Sequence, residues 1–587
     1  MFEKVLIANR GEISVRIARA CREMGVRSVA VYSDVDRGAL HTLVADEAYH
    51  IGPTPAAESY LNVEKLIEVA RESGAEAVHP GYGFLAESAP FARAVTEAGL
   101  VWIGPHPDAI VAMGSKVESR RIMARAGVPI TPGTGDPVRS ADAILEFAAD
   151  HGFPVAVKAS AGGGGKGFAV AHDKTQAEAA YSRASREGEA YFGDGSVYLE
   201  KYLPAPRHVE IQVFRDKHGN CVHLGERDCS IQRRHQKLVE ECPSPALDPE
   251  TRQAMGRAAV AAAEAVGYDS AGTVEFLLQK GEAKDEAGDE FFFLEMNTRV
   301  QVEHPVTEEV TGIDIVQTGI RIAAGEPLPF SQREVSWRGH AIEVRINAED
   351  AARDFVPSPG AVVIYEEPGG PGVRVDSSLK GAGAVPDSYD PLFAKLIVRG
   401  PDRPAALARL RRALAEFRVE GIATTLPFFR AILDDEVFVS GDYTTGFVAG
   451  RMDGLEIEAA QPAGGGSAVD EKTSREVEVE VNGRLFRVRV FGDGGGAAGR
   501  GDPPRRSGRT TRRAAGGEGA VEAPMQGTIV KVLVEVGQEV AADEPVCLLE
   551  AMKMESEVRA QRAGRVSEVL IEAGRTVRSG ETLVVLE

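Results

Sequence analysis

The chain has 587 residues, 43% of them hydrophobic and 26% charged, and a formal net charge of -21. At roughly 150 residues per domain this length implies three or four domains, and so large an acid excess argues against nucleic-acid binding, which needs positive charge to displace counterions. Five cysteines (21, 221, 229, 242, 547) are scattered, odd in number and without a CxxC pair, which disfavours a disulfide framework or a structural zinc site and fits a reducing cytoplasm. Glu3, Lys4 and Arg10 leave no apolar signal core at the start, and no run of about 18 apolar residues follows, so a cytoplasmic chain that crosses no membrane is expected.

Val5-Leu6-Ile7-Ala8 is a short apolar run ending at Asn9-Arg10-Gly11-Glu12; Ile13, Ile17 and Ala20 then recur at helical spacing, and Val29 to Tyr32 reads as a second strand. Strand, helix, strand is the opening of a parallel sheet. Its first turn lacks the GxGxxG dinucleotide fingerprint. The alternation runs to Trp102-Ile103-Gly104, so residues 1–114 read as one α/β domain. Residues 115–330 are mixed: a helix begins near Lys116 and ends at Gly127-Val128-Pro129, where proline cannot continue it. A smaller subdomain is expected over about 131–204, and a strand-rich stretch over 335–447.

Val155 to Lys158 reads as a strand leading into Gly162-Gly163-Gly164-Gly165-Lys166-Gly167. Glycines let backbone N–H groups approach phosphate oxygens, and Lys158 and Lys166 add charge. The loop is not a Walker A loop, because Lys166 is followed by Gly167 and not by Ser or Thr. Gly272 to Leu277 and Phe291 to Glu295 read as a hairpin centred near Asp285, which sets Glu275 opposite Glu295. Facing carboxylates repel unless a cation lies between them, and Mg²⁺ is a hard ion that takes oxygen ligands. Asn297 offers a third oxygen. The alternation Glu295, Asn297, Arg299, Gln301, Glu303 would place five polar side chains on one face of an extended chain.

Composition changes after Arg451. Residues 461–475 read as a linker, and 476–491 as a β-hairpin about Asn482-Gly483, with Val481 opposite Arg484, Val479 opposite Phe486 and Val477 opposite Val488. A lone hairpin is marginal, so this one is expected to pack on another surface. Residues 492–519 form a Gly- and Arg-rich linker reaching roughly 30 Å as a random coil. In the last segment, 520–587, residues 527–550 align with 564–587, a repeat expected to fold as a small β-barrel with quasi-twofold symmetry. Between the copies, symmetry places Lys553, flanked by Met552 and Met554, at a hairpin tip.

That Ala-Met-Lys-Met segment resembles a biotin carboxyl carrier domain, biotinylated on Lys553; lipoyl domains share the fold but usually carry Asp-Lys-Ala at the tip. The strings HPGYGFLAE (79–87), KASAGGGGKG (158–167), ERDCSIQRRHQK (226–237), EMNTRVQVEHPVTE (295–308) and RINAED (345–350) resemble biotin carboxylase, an ATP-grasp enzyme, over about residues 1–447. The whole is similar to the biotin-containing α chain of an actinobacterial-type acyl-CoA carboxylase. The resemblance implies an α/β and α+β multidomain fold: a biotin carboxylase N-terminal α/β domain, an ATP-grasp domain with a lid, a C-terminal β-rich domain and an all-β biotinyl/lipoyl-like barrel.

By the same resemblance, Lys116, Lys158 and the loop Gly162 to Gly167 would bind ATP phosphates, while Glu200, Lys201 and Leu203 would hold adenine. His208, Gln232 and His235 would contact ribose and phosphate. Glu275, Glu295 and Asn297 would hold Mg²⁺ or Mn²⁺. Lys237, Arg299, Gln301 and Val302 would hold bicarbonate, with Glu303 as general base, Arg345 facing the biotin ureido oxygen and Tyr82 alongside biotin. Biotin on Lys553, ATP and Mg²⁺ are the implied cofactors. The implied partners are a separate carboxyltransferase (β) subunit, since the residues after 451 leave no room for one, and biotin protein ligase; the carboxylase part is expected to self-associate. The final acceptor would be acetyl- or propionyl-CoA. The alternatives are the α chain of a methylcrotonyl-CoA or pyruvate carboxylase, a carbamoyl-phosphate synthase fragment, against which the carrier domain argues, and a non-catalytic biotin carrier, against which intact Glu303, Arg299 and Arg345 argue.

Overall fold

The computed structural model describes all residues except 160–166, 193, 282–288, 460–473, 482–483, 492–518, 524–526, 552–553 and 578–579. The chain divides into two units, Met1–Ala459 and Ala460–Glu587.

The first unit opens with a five-stranded parallel sheet, ordered Glu47–Gly52, Arg27–Ser33, Lys4–Ile7, Ala77–His79, Val101–Trp102. Strand Lys4–Ile7 is buried along its whole length, as a parallel strand covered on both faces must be. Helices Gly11–Glu23, Val63–Ser73 and Ala89–Glu97 provide crossovers, the last two started by Asn62 and Ser88, whose side chains accept from Lys65 N and Phe91 N. The strand order reverses between Lys4–Ile7 and Ala77–His79, and such a switch opens a crevice beyond the strands' carboxyl ends. Asn9 stands there, its amide donating to the carbonyls of Pro80 and Tyr82 at 2.7 Å each.

The central element is an eight-stranded antiparallel sheet: Glu290–Asn297, Ala271–Gln279, Arg207–Arg215, Cys221–Arg233, Gln236–Cys242, His340–Asn347, Leu392–Gly400, Val373–Ser377. It runs without a break through the boundary expected near 330–335, because Gln236–Cys242 pairs with His340–Asn347. A separate three-stranded sheet (Phe168–Ala171, Val155–Ala159, Val197–Lys201) with helices Asp142–His151 and Ala177–Phe192 has its own small core around Ile144, Val157, Ala184 and Leu199.

The stretch expected to be strand-rich as far as 447 turns helical after Gly400. Helices Arg403–Glu416, Leu426–Ile432, Glu436–Ser440 and Phe447–Arg451 follow. Asp402 caps the first by accepting from Ala405 N, and Ala406, Leu410, Ala413 and Leu414 form its buried stripe. Ala, Leu and Arg are strong helix formers at that spacing.

In the second unit, strands Ser474–Val481 and Arg484–Phe491 pair in the register read from the sequence, Val477 opposite Val488 and Val481 opposite Arg484. The C-terminal segment forms two four-stranded sheets: Ala520–Glu522, Thr582–Leu586, Gly564–Val569, Glu539–Val540 and Met554–Arg559, Pro545–Ala551, Gly527–Val532, Thr576–Val577. Exchanging each strand for its repeat mate converts one sheet order into the other, so each sheet is built from both copies. Their inward residues, among them Ile529, Val546, Leu549, Val566, Leu583 and Val584, form one core. Among the described residues no helix is long and apolar enough to cross a membrane.

Candidate active site

Strands Ala271–Gln279 and Glu290–Asn297 pair with Glu275 opposite Glu295, followed by a bulge between Glu275 and Phe276. Glu275 is buried and Glu295 exposed. Glu275 Oε1 accepts from Lys237 Nζ at 2.9 Å, Asn297 Nδ2 at 2.8 Å and Gln301 Nε2 at 2.9 Å. Its Oε2 lies 2.9 Å from His208 Nε2. Burial opposes a charge on either group, but Lys237 and His208 hold the Glu275 carboxyl well below the usual range, and the Glu275 charge raises His208.

Lys237 joins three carboxylates: its Nζ also donates to Glu210 Oε2 and Glu303 Oε1, each at 2.6 Å. Glu303 Oε2 in turn accepts from Arg345 Nη2 at 3.0 Å, and Arg345 Nε donates to Glu240 Oε1 at 2.7 Å. A buried carboxylate ordinarily resists ionisation; Lys237, Arg345 and Arg227 reverse this at Glu303 and keep it charged well below the usual range. Burial likewise opposes the Lys237 charge, and Glu210, Glu275 and Glu303 raise it.

The extended run expected from Glu295 to Glu303 does not form. The strand stops at Asn297, and Glu303 occupies the N-cap position of helix His304–Thr311 with φ -82° and ψ 10°, Pro305 in the first turn. The side chains converge through contacts from other elements instead. Arg227, fully buried, donates to Gln301 Oε1 at 2.7 Å, Gln212 Oε1 at 2.8 Å and the hydroxyls of Thr273 and Thr307 at 3.1 Å, and pairs with Glu210. Lys395, also fully buried, donates to the Val302 carbonyl at 2.8 Å. Arg299 makes its hydrogen bonds to other residues than Glu303: its Nε donates to Glu87 Oε2 at 3.0 Å and its Nη2 to Asn297 Oδ1 at 2.9 Å.

On the nucleotide side, Lys158 and Arg120 both pair with Glu200, which stands opposite Ala156 in the small sheet. Lys201 Nζ reaches Glu290 Oε2 at 3.1 Å, and Leu203 is buried. Gln232 is buried opposite Lys237, while His235 is exposed in the intervening turn, where Arg234 and His235 both take left-handed φ values (48° and 68°). Tyr82 donates its hydroxyl proton to Glu12. Gly167 closes on Ala159 through a backbone bond of 2.7 Å. Lys116 begins helix Lys116–Arg125; Gly162, Gly163, Gly164, Gly165, Lys166 and Lys553 lie outside the described residues.

Arg227, Glu210, Glu87, Lys395 and Glu240 belong to this constellation and were not singled out in the sequence. Glu210 was within reach: His208, Glu210 and Gln212 alternate on one face of strand Arg207–Arg215. Glu87 closes the HPGYGFLAE string. Arg227 carries no local signal, because its partners come from strands and a helix far apart in sequence.

The donor set of Glu275, Glu295 and Asn297 is all oxygen, which suits a hard divalent cation shared with phosphate, and His208, Glu210 and Glu275 bring ligand atoms within 4.8 Å of one another. Concentrated positive charge beside a buried, ionised Glu303 suits an anion that must lose a proton.

Four family models match: "Biotin carboxylase, N-terminal domain" over residues 1–110, "Carbamoyl-phosphate synthase L chain, ATP binding domain" over 115–331, "Biotin carboxylase C-terminal domain" over 343–450 and "Biotin-requiring enzyme" over 519–586. The biotin-dependent acyl-coenzyme A carboxylase alpha3 subunit of Mycobacterium leprae is 48% identical over 94% of each chain. A pyruvate carboxylase subunit of Methanothermobacter thermautotrophicus is 50% identical over 78% of this chain and 92% of its own. The biotin carboxylase domain of Hydrogenobacter thermophilus 2-oxoglutarate carboxylase, solved with MgADP and bicarbonate, superposes with a TM-score of 0.69 at 47% identity, covering 77% of this chain and 98% of that one. The chain belongs to the biotin carboxylase family, as an ATP-dependent biotin carboxylase joined to a biotin-requiring carrier domain in one polypeptide.

Proposed function

We propose that this chain is the α chain of an acyl-CoA carboxylase of the actinobacterial type. It would use ATP and bicarbonate to carboxylate biotin held on Lys553 and pass the carboxyl group to a separate carboxyltransferase, whose acceptor would be acetyl- or propionyl-CoA. The observation that carries the acyl-CoA reading is coverage: the Mycobacterium leprae acyl-CoA carboxylase subunit matches 94% of the chain, carrier segment included, whereas the pyruvate carboxylase subunit matches 78%.

The carboxylase roles rest on the Lys237 cluster. Bicarbonate bound against Lys237 and Gln301 competes for the donors that now hold Glu303. Each donor withdrawn from Glu303 raises its affinity for a proton, so the substrate anion activates its own base. The deprotonated anion attacks the γ-phosphoryl group of ATP, the bond to the β,γ-bridging oxygen breaks with ADP as the leaving group, and carboxyphosphate forms, with Lys158, Lys116 and the glycine loop neutralising phosphate charge. Glu275, Glu295 and Asn297 would hold Mg²⁺, which when bound spreads the phosphate charge; biotin when bound supplies the acceptor nitrogen. Arg345, held by Glu240 from behind, presents its remaining donors to a developing oxyanion. The 131–204 subdomain excludes water as a lid.

The test is ATP hydrolysis by the purified holoenzyme with and without bicarbonate, in the presence of free biotin, followed by transfer of labelled bicarbonate to acetyl-CoA, propionyl-CoA or pyruvate with the cognate carboxyltransferase. Turnover indifferent to bicarbonate overturns the carboxylase roles, and label reaching pyruvate alone overturns the acyl-CoA reading.

The hairpin at 476–491 is the proposed docking element for the carboxyltransferase, since an isolated two-stranded ribbon needs a surface to pack on. Deleting residues 474–491 is expected to abolish co-purification with the carboxyltransferase while leaving carboxylation of free biotin unchanged. Undiminished co-purification removes this role.

A further inference from the structure

Beside Glu240, which holds Arg345, lies a second acid, Glu343, that the catalytic reading does not use. Strands Gln236–Cys242 and His340–Asn347 pair with Glu240 opposite Glu343. Both side chains are fully buried. Glu240 Oε1 accepts from Arg345, but Glu240 Oε2 and both oxygens of Glu343 have no hydrogen-bond partner among the described residues. Two ionised carboxylates opposed in one ladder, three of their four oxygens buried without a hydrogen-bond partner among the described residues, carry a desolvation cost that the neighbouring cations only partly offset.

Four charged groups act most strongly on Glu343: Lys395 and Arg345, which oppose each other across the next ladder, and Glu240 and Glu303. Each cation is already committed: Lys395 pairs with Glu12 at 3.2 Å and donates to Val302 O, and Arg345 holds Glu240 and Glu303. Burial pushes Glu343 well above the usual carboxylate range; Lys395 and Arg345 pull it down, and Glu240 and Glu303 push it further up.

We propose that the Glu240–Glu343 pair holds one proton, carried by Glu343, so that Arg345 faces a single charged carboxylate at its back and one, Glu303, in front. Glu343 is then a positioning residue. Were it ionised, a second negative group behind the guanidinium would compete with Glu303 and with any developing oxyanion for the same donors. This deepens the catalytic reading of Arg345 and rests on it, but the protonation itself does not.

The holoenzyme is measured three ways. Its infrared spectrum at pH 8 is expected to contain the carbonyl band of a neutral buried carboxylic acid that shifts in D₂O and is missing from Glu343→Gln. If the parent has no such band, or if it survives in Glu343→Gln, the proposal is wrong, whatever the enzyme's activity. In the second, Glu343→Gln, which mimics the neutral acid, retains kcat within about threefold, the scatter of an isosteric exchange away from reacting atoms. Glu240→Gln, which removes the charge steadying Arg345, loses tenfold or more on the order expected for a buried charge partner. The reverse ranking assigns the proton to Glu240 and overturns the proposal.

The third is stability. A carboxyl whose folded-state affinity for protons exceeds its unfolded one costs the fold progressively more as pH rises above its unfolded value. Glu343→Gln is therefore expected to gain thermal stability over the parent at pH 8 and little at pH 5; equal shifts at both contradict the assignment. Glu343→Met, which cannot ionise either, repeats this comparison if the glutamine variant folds poorly.

Discussion

Replacing Lys237 by Met is expected to reduce bicarbonate-dependent ATP turnover by about a thousandfold, the scale of losing a buried charge partner together with its role in orienting a base. The ammonium touches Glu210, Glu275 and Glu303 at 2.6, 2.9 and 2.6 Å, so its removal leaves three buried carboxylates facing one another. Their response to pH follows. In the parent, Glu275 and Glu303 are held below the usual range. The stability they add is present above the ordinary carboxylate value of about 4.3 and disappears as pH falls toward their folded-state values. Without Lys237 these carboxyls bind protons more tightly than the unfolded chain does, and the sign inverts: the variant loses stability, relative to the parent, as pH rises from 5 to 8. Melting temperatures across that window, with turnover at each pH, check both parts. Lys237→Arg is expected to recover most of the stability and little of the activity, because a planar fork cannot point three donors at three carboxylates in the ammonium's geometry. Normal turnover in Lys237→Met would remove this residue from the mechanism.

Lys553→Ala is expected to abolish biotin incorporation and with it all transfer of label to acyl-CoA. Carboxylation of free biotin should stay within about twofold of the parent, since free biotin reaches the carboxylase without an attachment lysine. Lys553→Arg should fail equally, because a guanidinium stays protonated and is no nucleophile. An avidin blot reads the first outcome and labelled bicarbonate the second. Biotin found on the alanine variant would place the attachment elsewhere.

Much of the architecture was legible because it is written in short-range periodicity. Asn482-Gly483 implies a two-residue loop in the sequence, and the strands flanking it pair in the register such a loop sets; alternation about a common centre sets Glu275 opposite Glu295. The repeat between 527–550 and 564–587 implied a symmetric barrel, and the two sheets are related by that exchange. The same reliance on periodicity misled where the chain changes course. Asn297 to Glu303 reads as an alternating strand, but Pro305 favours a helix start, and the backbone turns at Glu303. After Gly400 the expected strands give way to helices, the first carried by the buried stripe Ala406, Leu410, Ala413 and Leu414 at helical spacing.

The residue types of the candidate site and its paired glutamates are legible in the sequence alone, since spacing along one strand is a local property, and the proposed carrier lysine is marked there by the Ala-Met-Lys-Met resemblance. Only the tertiary structure decides which cation meets which carboxylate. Lys237 reaches Glu303 across 66 residues of chain and Arg345 reaches Glu240 across 105; Arg227 finds partners on separate strands and a helix. Such pairings depend on the order of strands in a sheet that runs through the expected domain boundary. In the buried, weakly screened space this creates, ångström placement sets which acids are charged and which, as proposed for Glu343, hold a proton.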